Sequence, residues 1–87
     1  MQKHVEVYLK SFNYTEGDFI PCESCGLRGV DIHHIIPRSK FGKKRKDEQD
    51  LITNLICLCR LCHEKAHSIN NKEYLTVIHL ANLSRLI

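Results

Sequence analysis

The stretch "NLICLCRLCHEKAH", residues 54–67, changes character twice in a few residues. Its opening, "NLICLC", is apolar, bounded by Asn54 and too brief for a helix, so it reads as a short strand. Cys59-x2-Cys62 follows at once, and from about Arg60 to Ser68 the pattern turns helical. A strand that runs through a cysteine knuckle into a helix is the element on which the fold turns.

A second knuckle, Cys22-x2-Cys25, lies upstream, with 33 residues between Cys25 and Cys59. A CxxC turn lets two thiolates converge on one ion, with Zn–S distances of about 2.3 Å, and two such turns close a tetrahedral shell. The expectation is a structural zinc held by Cys22, Cys25, Cys59 and Cys62. A finger built from Cys22, Cys25, His63 and His67 would orphan two cysteines at ideal spacing. Cys57 is left over and reads as a small buried hydrophobe on the same strand face as Cys59. The staple suits an 87-residue chain, because a domain this small is marginal on its core alone. Five cysteines, an odd count, and the absence of a continuous apolar stretch in "MQKHVEVYLKSF" argue against disulfides and a secretory signal. They point to a reducing, cytoplasmic setting, and no segment is long enough to span a membrane.

Upstream of the basic run lies "VDIHHIIP", residues 30–37, a β-branched strand ended by Pro37. Two adjacent histidines on a regular strand should face opposite ways. Residues 3–12 place Val5, Tyr8, Leu9 and Phe12 at helical spacing, and residues 72–87 carry a final helix. Between them, residues 38–53 form a polar connection without apolar periodicity until Leu51. Arg38, Lys40, Lys43, Lys44, Arg45 and Lys46 fall within nine residues of it, whereas the remainder of the chain is net acidic. One local basic patch suits a surface that meets a polyanion, although many charge runs are only solvated loops.

Zinc needs none of the histidines. His63 and His67, four apart, share one helix face, a spacing that two ligands of one metal can use. With His33 and His34 they make two tight clusters that require a shared cause. His4 and His79 are isolated in the sequence and are assigned no role.

Together "CESC…DIHHIIP…NLICLCRLCHEKAH" resembles the HNH endonuclease family, in order, spacing and zinc ligands, from Cys22 to His67. The resemblance implies an α+β fold: a ββα-metal (His-Me finger) core over 22–70 with embedded four-cysteine zinc knuckles. N- and C-terminal helices flank it in a single domain spanning 1–87. It further implies that His33, His63 and His67 hold a catalytic divalent cation and that His34 is the general base. Asn54 is the middle-letter residue, whose amide braces the backbone of the long connection. Near Pro37 strict alternation would lapse, so that one ring faces the metal and its neighbour the attacking water. Asp31, two residues before His33, is read as a surface residue or a neighbour of the ligands.

The implied activity is metal-dependent hydrolysis of DNA phosphodiester bonds, leaving 5′-phosphate and 3′-hydroxyl ends. Magnesium is the ion by family analogy, while imidazole ligands also suit manganese, nickel or zinc. Arg38, Lys40, Lys43, Lys44, Arg45 and Lys46 would bind DNA phosphates without reading sequence, and Arg60 is a weaker candidate. From another class comes a non-catalytic zinc-ribbon module that binds nucleic acid, which would have no use for His34. A bacterial or phage origin fits the resemblance. Homodimerisation, or a place in a larger phage or restriction assembly, stays open, because the terminal helices suit packing equally well.

Overall fold

The computed structural model describes residues 2–86, so the outermost positions of the expected domain and of its last helix lie outside it. Helix α1 spans Lys3–Ser11, strand β1 Asp31–His34, strand β2 Leu55–Leu58, helix α2 Arg60–Ser68 and helix α3 Lys72–Ser84. The architecture is α+β: a two-stranded antiparallel sheet with helices on both faces, and β1, β2 and α2 forming the ββα unit.

Register pairs Asp31 with Leu58, Ile32 with Cys57, His33 with Ile56 and His34 with Leu55. Alternation along the pair sorts these residues into two cores. On one face Ile56 and Leu58 pack with Cys22, Ile35 and Leu75, and with the half-buried Ala66 and Ile78 of α2 and α3. On the other, Leu55 and Cys57 pack with Tyr8 of α1, and with Phe12, Tyr14, Ile20 and Ile32. Cys57 is buried as expected, and burial, then the charge of Glu23, pushes its thiol up to about 12. It does not share a face with Cys59, which packs in the opposite cluster. The chain leaves the strand at Leu58, and Cys59 serves instead as N-cap of α2, so alternation stops before it.

β1 is shorter than the β-branched run suggests, and the cause is Asn54. The Ile35 N–H still donates to the Asn54 carbonyl at 2.9 Å. One residue on, both backbone groups of Ile36 are taken by the Asn54 side chain, which ends the ladder. The connection to β2 carries short 3-10 segments at Arg38–Lys40, Lys43–Asp50 and Ile52–Asn54. Two are only three residues long and the third is wholly polar, so none carries an apolar repeat that periodicity could reveal.

His79 of α3 is fully buried rather than isolated. Its Nδ1 lies 2.9 Å from Glu23 Oε1, and its Nε2–H donates to the Ile52 carbonyl at 2.6 Å, so the ring bridges the first knuckle and the connection. Glu23 also accepts 2.7 Å from the Tyr8 hydroxyl. This residue of the first knuckle therefore ties α1 and α3 to the sheet. Along α3, Leu75 is buried, whereas Tyr74 and Val77 remain exposed. Among the described residues, no helix is long and apolar enough to cross a membrane.

Candidate metal centre and active groove

Two groups of ligand-type side chains sit on the α2 face. In the first, the thiolates of Cys22, Cys25, Cys59 and Cys62 lie within 4.8 Å of one another, with Cys25 and Cys59 sulfurs 3.6 Å apart. Tetrahedral zinc at about 2.3 Å from each sulfur would set them about 3.8 Å apart, so the set fits a closed structural site. Backbone geometry prepares it. In the first knuckle the Gly26 N–H donates to the Cys22 carbonyl at 2.9 Å, and Gly26 adopts φ +81°, which a residue with a side chain resists. In the second, Cys59 Sγ accepts from the Cys62 N–H at the start of α2. That backbone hydrogen bond, first among its influences, brings the Cys59 thiol down to about 7, favouring the ligating thiolate.

In the second group His33, His63 and His67 offer nitrogens within 4.8 Å of one another. His63 Nε2 and His67 Nε2 are 3.1 Å apart, close to the separation set by two ligands about 2.1 Å from one ion. The His33 ring stands edge-on to both, with centroids 5.0 Å from His63 and 5.3 Å from His67. Burial, reinforced by the charges of His63, His67 and His34, pulls the His33 ring down to about 4, which favours the neutral form with one bare nitrogen to ligate. Asp31, on the His33 face of β1, accepts from His63 Nδ1–H at 2.8 Å. That bond selects the tautomer in which His63 Nε2 is bare, an arrangement that orients metal-binding imidazoles. Arg60 Nε lies 3.3 Å from the same carboxylate, so it serves Asp31 rather than standing free. A divalent transition ion fits this donor set.

His34 belongs to the other face. Alternation does not lapse at the strand end: His33 meets the histidines of α2, and His34 meets α1 and the connection. Its Nε2–H donates to Asp50 Oδ1 at 2.8 Å, which leaves Nδ1 without a proton in the neutral ring. Burial pushes the Asp50 carboxyl up, but the hydrogen bond and charge of His34 outweigh it and hold it below its ordinary value. The His4 ring packs on His34 with centroids 4.7 Å apart. Asn54, 7% exposed, accepts from the Ile36 N–H at 2.7 Å and donates to the carbonyls of Ile36 at 3.1 Å and Gln49 at 2.9 Å. It thus clamps the chain two residues beyond His34 to the residue before Asp50.

Because β1 ends at His34, rings from both faces still border one open groove of about 660 Å³. His33, His34, His63 and His67 line it, with Arg38 and Lys72. Of the six basic residues singled out, only Arg38 reaches the groove. Lys40, Lys43, Lys44 and Lys46 are exposed beyond it, and Arg45 is paired with Glu48 at 2.7 Å. Lys72, His4 and Asp50 escaped sequence reading because each is brought to the site by tertiary packing. His4 stands four residues before Tyr8 and eight before Phe12, the spacing of one helix face, which is the one sequence signal that could have found it.

The profile of the HNH endonuclease family matches residues 22–68, from the first knuckle cysteine to the last residue of α2. No curated protein and no solved structure gives a match. The matched segment covers more than half of the chain and contains both ligand clusters, the clamp at Asn54 and the ββα unit. The chain belongs to the HNH endonuclease family.

Proposed function

We propose that the chain is a metal-dependent DNA endonuclease in which His33, His63 and His67 hold one divalent cation and His34 is the general base. The observation that carries this reading is the separation of the clusters. Three imidazoles converge on a point of their own, beside a groove that His34 also lines, while the thiolates form a complete set without them. A binding module needs the thiolates and the lysines, and gives no reason for an Asp31-oriented histidine facing another imidazole.

A divalent cation held there supplies Lewis-acid stabilisation of charge that builds on phosphodiester oxygens during hydrolysis. The chain's own residues do the rest. His34 takes a proton from the attacking water on Nδ1, and Asp50 steadies the imidazolium through Nε2–H. Asn54 holds that pair in register by fixing the backbone on either side of it. Arg38 and Lys72 neutralise phosphates along the groove without reading bases. Three imidazoles suit manganese, nickel or zinc better than magnesium.

Nicking of supercoiled plasmid with magnesium or manganese tests the proposal. His34→Ala should cut about 10²–10⁴-fold more slowly, the usual contribution of a positioned acid–base group, with unchanged metal content. Equal rates would remove His34 as the base. No cutting by wild-type protein with any divalent ion would hand the chain to the binding-module class.

A further inference from the structure

A third group of metal-type ligands reaches beyond the family match through His4 alone. His4 of α1, His34 of β1 and Asp50 at the end of the connection offer ligand atoms within 4.8 Å of one another. We propose that these three side chains form a second transition-metal site, selective for zinc-like ions over magnesium, whose occupancy switches the nuclease off. The regulatory half of this inference rests on the reading of His34 as the base.

Three observations carry it. First, the donor set is two imidazoles and a carboxylate, the composition with which zinc is held in open three-ligand sites, and it contains too few oxygens to suit magnesium. Second, the ligands are fixed by separate elements. α1 is pinned by the buried Tyr8, whose hydroxyl donates to Glu23. Its first turn is closed by Val5 and Glu6 N–H groups donating to the Gln2 carbonyl, each at 3.1 Å. Asp50 is held next to Gln49, whose carbonyl accepts from Asn54. Third, His4 and His34 both line the open groove, so an ion enters from solvent. The hydrolytic scheme needs Asp50 beside His34 but has no use for His4.

Coordination explains the inhibition. The His34 nitrogen on the Asp50 side is Nε2, so an ion shared by both residues binds there. The ring proton must then move to Nδ1, the nitrogen that would otherwise accept the proton of water. One ring cannot hold this ion and act as base at once. Asp50 gives up its hydrogen bond from His34 in exchange for the ion, so no net proton is released.

The test is zinc titration by calorimetry of protein retaining its sulfur-bound zinc, with circular dichroism confirming the fold of each variant. Wild type should take up two further equivalents, and His4→Ala and Asp50→Asn one each. The equivalent that depends on His4 should persist in a His33→Ala/His63→Ala double variant. Uptake that is the same in wild type and His4→Ala overturns the site. In plasmid nicking with magnesium, the zinc concentration giving half inhibition should rise at least tenfold in His4→Ala, each protein being compared with its own zinc-free rate. Equal sensitivity overturns the switch. If no cation supports cleavage while the His4-dependent equivalent is present, the nuclease reading and the switch built on it fail, but the metal site stands.

Discussion

Helix α2 feeds two ligand clusters of opposite character. Cys62 and its N-cap Cys59 complete a set of four thiolates, while His63, next in sequence to Cys62, joins His33 and His67. The thiolate set is closed, drawn half from a loop before the sheet and half from the strand–helix junction, so it staples distant segments. The imidazole set has three members beside an open groove, and leaves room for substrate and water. On the proposed reading, ligand count and access, rather than position in the fold, separate structure from chemistry.

The sharpest way to break that distinction is to remove one ligand from each side. Cys59→Ser should abolish folding, because structural zinc in small domains contributes about 10–16 kcal/mol, as much as a domain's whole stability of about 5–15 kcal/mol. His63→Ala should melt near wild type and retain the sulfur-bound zinc, yet fail to cleave. Metal analysis with thermal denaturation reads both. A folded, zinc-replete Cys59→Ser protein would reverse the two assignments.

The thiolate side has a second support, smaller than the metal. Glu23, inside the first knuckle, and His79 form a buried pair with side chains 2% and 0% exposed. His79→Ala should cost about 3–5 kcal/mol, since removing one partner strands the other's charge. Denaturant titration would show it, while zinc content stays at wild-type level. Loss of less than about 1 kcal/mol would place the weight of the fold on the metal alone.

These contacts mark what the sequence could and could not reveal. Both knuckles and the His63–His67 pair depend on spacings of three or four residues, which local geometry enforces, and α2 falls where its periodicity placed it, at Arg60–Ser68. His79 and Glu23 stand 56 residues apart, and no local pattern couples them. Asp50 was one acid in a polar connection until folding set it against His34. The face assigned to Cys57 was wrong for a related reason. Alternation holds only while the strand lasts, and the strand ends one residue before Cys59. The same rule, kept rather than broken at His33 and His34, puts the expected ligand and the expected base on opposite faces.

A finer probe of the open side is Asp31. Its carboxylate fixes the His63 tautomer from behind, 2.8 Å from Nδ1. Asp31→Asn should weaken binding of the cation proposed at the three histidines about 10–100-fold, the usual cost of losing such a partner, and leave the thiolate site untouched. The readout is the manganese concentration that half-saturates cleavage, with the rate at saturation nearly preserved. A fall in saturating rate without a shift in manganese dependence would mean that Asp31 acts on the substrate, not through His63.

The smallest effect concerns how the open site meets DNA. The basic run looked like the DNA-binding surface, but of its six charges only Arg38 borders the groove, joined there by Lys72 from α3. Each phosphate neutralised on a duplex contributes about 0.9 to the slope of log affinity against log salt. Arg38→Ala and Lys72→Ala should therefore each lower that slope by about one, and lower affinity alike for unrelated sequences. Lys43→Ala, outside the groove, should change it less. Fluorescence anisotropy across a salt series, with calcium in place of a cleavage-supporting ion, measures all three. If Lys43→Ala flattens the slope more than Lys72→Ala does, DNA lies along the connection, and the groove admits only the strand to be cut.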